Sequence, residues 1–270
     1  MVTQPYEAAA ALLADARREC RVLSQLPDAL TPADVAEGYA VQDAFRRLWS
    51  DTVVGWKAGA TATPVQARFG VAEPFAGPFY AGDTFQTPAR IAAGRFAHLC
   101  LESEFAFRFG RTLAARSVPY TRAEVLDAVD ALVPAIEIVG PRFDSLALSG
   151  PVAIADCALD AGFVLGEPVA DWRGYDLPAH KVTLTVEGKV RAEGTGAKVL
   201  GDPLSALLWT VHHLGSRAIS IQAGQILSTG TTTGLEYILP DETAVADFGP
   251  LGNVEVRFTG PAHPQSVRHA

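Results

Sequence analysis

Two glutamates separated by one residue are the first candidates for chemistry in this sequence. Glu102 and Glu104 lie in segment 98–107, whose apolar residues are typical of a β-strand. Since side chains alternate along a strand, both carboxylates should project from the same face. Two such carboxylates repel each other, and a divalent cation that prefers oxygen ligands, such as Mg²⁺ or Ca²⁺, would turn the repulsion into a binding site. The alternative is a solvated outer strand face, and these two residues alone do not decide between them.

A third carboxylate, Glu137, stands alone in the apolar segment 135–140. The segment is typical of a buried strand, and a buried carboxylate without a partner is costly to ionise. A Glu-x-Glu pair with one distant glutamate makes a three-point oxygen site for Mg²⁺ or Mn²⁺. The alternative is a buried ion pair between Glu137 and an arginine such as Arg142.

Other polar residues are less specific. Lys57 lies among small and apolar residues, either as an edge lysine that reaches solvent or as a cation presented to an anionic substrate. The run 228–234 of Ser, Thr and Gly could bind a carboxylate through backbone N–H groups and hydroxyls, although such runs are more often turns. His98, His212 and His213 are available as acid–base residues, but the last two fall in a predicted helix, where we interpret them as packed or solvated.

Composition excludes several classes of protein. The chain has 270 residues, 49% of them hydrophobic, and a formal net charge of −8, which disfavours binding to nucleic acid or to an anionic membrane. Its three cysteines are widely spaced, as expected for reduced thiols. We find neither a signal peptide nor an apolar run approaching the roughly 18 residues of a membrane span, and we expect a cytoplasmic protein. The motifs of serine hydrolases, P-loop NTPases and Rossmann folds are also missing.

The pattern of elements predicts the fold class. Helices are expected at 6–24, 31–49, 121–132 and 204–214, from capping residues and amphipathic spacing. Strands are expected at 53–60, 98–110, 135–140, 152–156, 161–166 and 253–258, with a hairpin over 181–192 and an irregular packed loop over 71–82. Few helices and many short strands favour an α+β fold built on a curled sheet or β-roll over a doubly wound α/β sheet. We predict a helical N-terminal segment (1–50), a β-rich catalytic domain (51–262) and a flexible tail (263–270).

A series of motifs in a fixed order resembles the fumarylacetoacetate hydrolase superfamily, in the branch of the 2-keto-4-pentenoate hydratases and 4-oxalocrotonate decarboxylases. The resemblance covers about residues 54–258 and is specific because of the number of motifs. They are Gly55–Thr61 (GWKAGAT), Leu101–Phe107 (LESEFAF), Pro134–Val139 (PAIEIV), Ala155-Asp156, Gly201-Asp202-Pro203, Ala223-Gly224-Gln225 and Ser228–Thr231 (STGT).

The resemblance implies a mixed β-roll or β-sandwich with a helical N-terminal part. It further implies Mg²⁺ or Mn²⁺ bound by Glu102, Glu104 and Glu137, with Lys57 beside a 2-keto acid as a carboxylate anchor or proton relay. The remaining expected site residues are Asp83 and Asp156 as catalytic groups, and Ser228, Thr229, Gly230 and Thr231 as substrate-binding groups. Two positions depart from the family pattern: the aspartate of the loop, here Asp83, is shifted by one position, and Cys157 replaces an asparagine.

We therefore predict a metal-dependent hydratase that adds water to 2-hydroxypenta-2,4-dienoate-like substrates and yields 4-hydroxy-2-oxo acids in aromatic catabolism. The alternatives are a 4-oxalocrotonate-type decarboxylase, a hydrolase of C–C bonds in acylpyruvates, and an inactive subunit supporting an active partner. We expect a homo-oligomer, with the N-terminal helices as a place for subunit contacts, and we also consider a complex with a pathway partner enzyme.

Overall fold

The computed structural model describes residues 5–265, in which six α-helices accompany thirteen β-strands. The helices are α1 (Pro5–Arg18), α2 (Val35–Leu48), α3 (Thr63–Phe69), α4 (Arg122–Ala128), α5 (Gly150–Ala155) and α6 (Pro203–Ser216). The strands are β1 (Val53–Gly59), β2 (Phe75–Tyr80), β3 (Thr84–Gln86), β4 (Ala89–Ala92), β5 (Cys100–Phe109), β6 (Val129–Val139), β7 (Asp160–Leu165), β8 (Lys181–Val186), β9 (Lys189–Thr195), β10 (Ile226–Thr231), β11 (Glu236–Tyr237), β12 (Thr243–Asp247) and β13 (Asn253–Thr259).

The strands form two mixed sheets. The larger has the order β2-β1-β10-β5-β6-β7-β3, with β11 also paired to β5, and the smaller has the order β4-β13-β12-β8-β9. The larger sheet curls: Phe79 on β2 and Phe163 on β7 have ring centroids 4.3 Å apart, although four strands lie between them in the sheet. The predicted α+β class and its curled sheet are thus confirmed.

The main core lies between the two sheets. From β5 it takes Phe105 and Phe107, and from β13 it takes Val256 and Phe258, all fully buried. Because side chains alternate along β5, Glu104 and Ala106 project from the opposite face of the strand, toward the inside of the curl.

The N-terminal helices cover one end of the curl. Helices α1 and α2 pack against each other, and α2 packs against α5. Their contact surface buries Leu13 and Phe45 together with Tyr80 of β2. Within residues 5–265 no helix has the length and apolar character needed to span a bilayer.

Two predicted elements were wrong in type. Segment 152–156 is not a strand, because residues 152–155 belong to helix α5 and Asp156 is its C-cap. Pro151 occupies the first turn of the helix, and the apolar run 152–155 carries no period that separates helix from strand. The loop predicted over 71–82 contains the fully buried strand β2. Pro78 is tolerated there because β2 is the edge strand of its sheet.

Two predicted boundaries also need correction. Helix α4 has the predicted capping box but ends at Ala128, and Pro134 lies inside β6 just before the pairing with β7 begins. Helix α2 is capped by Asp34 and not by Thr31, whose hydroxyl donates to the carbonyl oxygen of Pro27 instead.

The flexible tail at 263–270 stays a prediction. Its first residue, His263, is buried, and Gln265 accepts a hydrogen bond from the Val22 N–H. Residues 266–270 lie outside the described part of the chain.

Candidate metal centre and active site

The three predicted ligands converge inside the curl of the larger sheet. Glu102 on β5 is the direct register partner of Glu137 on the antiparallel strand β6, and Glu104 follows two residues later on the same face of β5. One carboxylate oxygen from each residue lies within 4.8 Å of the other two. Glu104 and Glu137 are fully buried, and Glu102 is partly exposed. The cluster is therefore accessible on the side of Glu102.

Lys57 reaches the same cluster from β1. Its ammonium lies 2.6 Å from Oε1 of Glu137 and donates a hydrogen bond of 2.8 Å to the carbonyl oxygen of Ala158. The side chain is 5% exposed, so it does not extend into solvent as the alternative interpretation required. Glu137 does have a basic partner, but that partner is Lys57 and not Arg142.

Strand β10 supplies two donors to Glu104. The hydroxyl of Ser228 and the N–H of Gly230, at 3.1 Å, both donate to Oε2 of Glu104. Gly230 has a φ of +103°, and a Cβ there would lie 2.2 Å from Oγ1 of Thr61, so the close approach requires glycine.

Two further predicted substrate-binding residues make other contacts. The hydroxyl of Thr229 donates to the Phe105 carbonyl oxygen at 2.7 Å, and that of Thr231 donates to the Gly234 carbonyl oxygen at 3.2 Å. Among the four residues predicted from 228–231, Ser228 and Gly230 are thus the two that contact a predicted ligand.

Burial and mutual repulsion dominate the electrostatics of the cluster. Burial raises the pKa of Glu102 to about 7, Glu137 adds to the rise, and Lys57 opposes it. Burial and then Glu102 raise the pKa of Glu104 to about 7, against the effects of Lys57, Ser228 and Gly230. Burial also raises the pKa of Glu137 well above its usual range despite Lys57.

The charge of Lys57 is maintained by the same carboxylates. Burial lowers the pKa of Lys57, but Glu137, Glu104 and Glu102 together outweigh burial, and the net direction is upward. When all three carboxylates are ionised, this one ammonium leaves two negative charges in a buried site. A divalent cation would neutralise them.

The carboxylate oxygens themselves fit a cation. Oε1 of Glu104 and Oε2 of Glu137 are buried and accept no hydrogen bond from any residue in the described range 5–265. Buried polar atoms are rarely left without a partner, and hard oxygen donors in a cluster are the preferred ligands of Mg²⁺ and similar ions. The residues present are therefore suited to hold a divalent metal ion.

The two predicted catalytic aspartates lie in ion pairs outside the cluster. Asp83 contacts Arg17 and Arg95, each at 2.7 Å, beside a cavity of about 410 Å³ that is lined by neither the three glutamates nor Lys57. Burial raises the pKa of Asp83, but Arg17 and Arg95 outweigh burial and lower it overall. Asp156 is paired at 2.6 Å with Arg142, which opposes the rise that burial causes in the Asp156 pKa. Their catalytic roles stay predictions.

Histidine side chains take structural positions. His98 Nε2 lies 2.6 Å from the Phe143 carbonyl oxygen, and His212 Nε2 lies 2.6 Å from that of Tyr120. His213 stacks on Trp209 with ring centroids 4.7 Å apart, and burial lowers its pKa to about 4. The interpretation of His212 and His213 as packed residues agrees with these contacts.

Sequence reasoning missed one contact of the predicted site, the Ala158 carbonyl that accepts a hydrogen bond from Lys57. A backbone acceptor cannot be recognised from the residue types.

Comparison with known proteins defines the class. Residues 57–260 match the family model for the fumarylacetoacetate (FAA) hydrolase C-terminal domain, and the chain belongs to this family. It is 32% identical to 2-keto-4-pentenoate hydratase 1 of Dechloromonas aromatica (strain RCB), over 93% of this chain and 96% of the relative. It is 30% identical to 2-keto-4-pentenoate hydratase of Paraburkholderia xenovorans (strain LB400), over 96% of both. Among solved structures, 4-oxalocrotonate decarboxylase from Pseudomonas putida G7, complexed with magnesium and adipate, superposes with a TM-score of 0.86 at 25% identity, covering 94% of this chain and 97% of that one.

Proposed function

We propose that this protein is a divalent-metal-dependent hydratase that adds water to 2-hydroxypenta-2,4-dienoate or a close homologue, giving a 4-hydroxy-2-oxo acid in aromatic catabolism. The observation that carries the proposal is the convergence of Glu102, Glu104, Glu137 and Lys57 in one buried cluster. The full-length similarity to 2-keto-4-pentenoate hydratases supports the choice of reaction.

Mg²⁺ or Mn²⁺ held by Glu102, Glu104 and Glu137 would supply Lewis-acid stabilisation where negative charge develops on a 2-oxo acid. The protein fixes the ligands in advance. Glu104 is oriented by Ser228 and Gly230, and Glu137 by Lys57, while Oε1 of Glu104 and Oε2 of Glu137 accept no hydrogen bond within residues 5–265.

Lys57 supplies a positive charge that can bind the carboxylate of the substrate in this acidic protein. Its ammonium is held between Glu137 and the Ala158 carbonyl, so it can present a remaining N–H to the substrate's carboxylate or 2-oxygen. In the hydration, the proton of the 2-hydroxyl is lost and a proton is added at C5, which gives the 2-oxo-3-enoate. Water then adds as hydroxide at C4 and as a proton at C3. A charged lysine beside the 2-oxygen would stabilise the negative charge that the loss of this proton leaves on the oxygen.

The experiment is incubation of the purified protein with 2-hydroxypentadienoate and Mg²⁺, and separately with 4-oxalocrotonate. Loss of the dienol absorbance, with a 4-hydroxy-2-oxo acid identified by mass spectrometry and no CO₂ released, is the expected result. CO₂ release from the diacid with no hydration would overturn the proposal.

A decarboxylase of 4-oxalocrotonate is the second candidate. The structural similarity to 4-oxalocrotonate decarboxylase, over nearly the whole chain, favours it. Both reactions place negative charge on the same 2-oxo acid, so the cluster serves either one. The paired incubations above separate them.

The remaining expectations concern assembly. A homo-oligomer with contacts through α1 and α2, a complex with a pathway partner enzyme, and a cytoplasmic location all stay predictions. Light scattering on the purified protein measures the first. Turnover that appears only after a partner enzyme is added would instead favour an inactive supporting subunit.

A further inference from the structure

Three consecutive residues beside Lys57 adopt the left-handed backbone conformation. Cys157, Ala158 and Leu159 have φ values of 51°, 58° and 68°. Residues with a Cβ visit this region rarely, and then as single residues, because the Cβ approaches the following carbonyl oxygen. Such a run persists only where the surrounding contacts enforce it. It connects α5 to β7, and we call it the left-handed turn (157–159).

Arg142 encloses this turn from both sides. Its backbone N–H and its Nε donate to the two carboxylate oxygens of Asp156, at 2.8 and 2.6 Å. Its two terminal nitrogens donate to the carbonyl oxygens of Asp156 and Asp160, which flank the turn. The Arg142 side chain is 8% exposed and that of Asp156 is 1% exposed, so the pair is held away from water. The Gly140 N–H adds a bond to the carbonyl oxygen of Leu159.

Gly77 gives the turn room to reach the lysine. It lies on β2 as the register partner of Lys57 on β1. A Cβ on Gly77 would lie 2.4 Å from the carbonyl oxygen of Cys157 and 2.6 Å from the Cβ of Ala158. The turn therefore packs directly on the backbone beside Lys57, and the Ala158 carbonyl accepts the hydrogen bond from its ammonium at 2.8 Å.

We infer that Arg142, Asp156 and Gly77 are positioning residues for Lys57: they hold the left-handed turn so that the Ala158 carbonyl fixes the lysine ammonium against Glu137. This gives Asp156 a different role from the catalytic one predicted from sequence. The inference rests on the proposed function only in assigning Lys57 a part in turnover, since the contacts themselves do not depend on the reaction.

The first test measures the position of Lys57 without any turnover. Pulse labelling with acetic anhydride and peptide mass spectrometry give the acetylation rate of Lys57, with the exposed Lys189 as internal reference. Gly77→Ala should displace the turn and raise the Lys57 rate about ten-fold relative to Lys189. The matched control is Gly174→Ala, where the added Cβ would meet nothing within 4 Å, and its rate should equal that of the wild type.

Arg142→Lys is a second variant for the labelling experiment, to be used if Gly77→Ala does not fold. The substitution retains the positive charge, but a single ammonium cannot span the Asp156 carboxylate and both flanking carbonyls as the guanidinium does. It should also raise the labelling rate of Lys57. Unchanged labelling in a folded Gly77→Ala or Arg142→Lys protein would overturn the inference.

The second test asks whether Arg142 acts through Lys57. Arg142→Lys should lower kcat about ten-fold in the wild-type background and less than about two-fold in a Lys57→Met background, because residues that act as one unit are not additive. Equal losses in both backgrounds would overturn the positioning role. If the wild-type protein turns over none of the substrates, the proposed function fails, but the labelling result still decides the geometry.

Discussion

The ammonium of Lys57 lies 2.6 Å from Oε1 of Glu137, so the chain places its own cation against a predicted metal ligand. A lysine in this position competes with a metal ion for Glu137 while also neutralising part of the cluster. Lys57→Met should therefore lower kcat about 100-fold and leave the affinity for Mg²⁺ unchanged or higher. Isothermal titration calorimetry measures the affinity, with Lys189→Met as the control.

The same substitution should destabilise the metal-free protein. It leaves Glu137 buried without its cation, and removal of one partner of a buried ion pair costs about 3–5 kcal/mol. Thermal unfolding at pH 8 should show the loss, and Mg²⁺ should restore part of it. If Mg²⁺ affinity instead falls together with activity, Lys57 maintains the metal site and does not act on the substrate.

Each of the three glutamates should be required for metal binding. Changing Glu102, Glu104 or Glu137 to Gln removes an anionic oxygen from the cluster, and we expect Mg²⁺ affinity to fall about 100-fold and activity to disappear while the circular dichroism spectrum is kept. Glu255→Gln, at an exposed position on β13, serves as the control. Full activity in the presence of EDTA would contradict the metal site.

Stabilisation by Mg²⁺ should depend on pH. The folded pKa of Glu102 and Glu104 is about 7, above the ordinary 4.5, so the metal-free folded protein holds protons that the unfolded chain releases. Their contribution to stability is fully present below about pH 4.5 and is lost as the pH rises through 7. Mg²⁺ must displace these protons, and its binding should raise the unfolding temperature more at pH 8 than at pH 6. Equal increases at the two pH values would contradict the raised pKa values.

Asp83→Asn distinguishes a catalytic from a structural aspartate. Asp83 is paired with Arg17 and Arg95, so the substitution should lower the free energy of unfolding by about 1–3 kcal/mol and change turnover less than about three-fold. The lowered pKa means that the contribution of Asp83 is present above the ordinary value of 3.8 and is lost as the pH falls through the folded pKa. If turnover instead falls about 100-fold or more while stability is unchanged, Asp83 has the catalytic role predicted from sequence.

The arrangement of the metal ligands was only partly predictable. Alternation along β5 is enough to place Glu102 and Glu104 on one face. That Glu137 lies opposite Glu102 depends on the register of β5 with β6, and the connection between these strands is long and contains α4, so no short turn sets it. The left-handed turn was beyond prediction, because none of its residues is glycine and Arg142 approaches from 14 positions away.

Errors in secondary structure came from segments whose local pattern does not separate helix from strand or loop from strand. The apolar run 152–155 has no period, and the signal for its helix is Pro151 in the first turn. Strand β2 contains Gly77 and Pro78, which are turn residues in most settings. Gly77 is required in the strand because the left-handed turn packs directly against it. Pro78 is tolerated because β2 lies at the edge of its sheet.

The alternation of β5 also has a consequence for folding. One face of the strand carries Phe105 and Phe107 into the core, and the other carries Glu102 and Glu104. A slip of one residue against β6 would turn both carboxylates into the phenylalanine-rich core and the two rings into the acidic cluster, at the cost of burying two charges without partners. The acidic residues therefore discriminate against misaligned pairing, so the same side chains that prepare the protein for a metal ion also help to specify which fold it reaches.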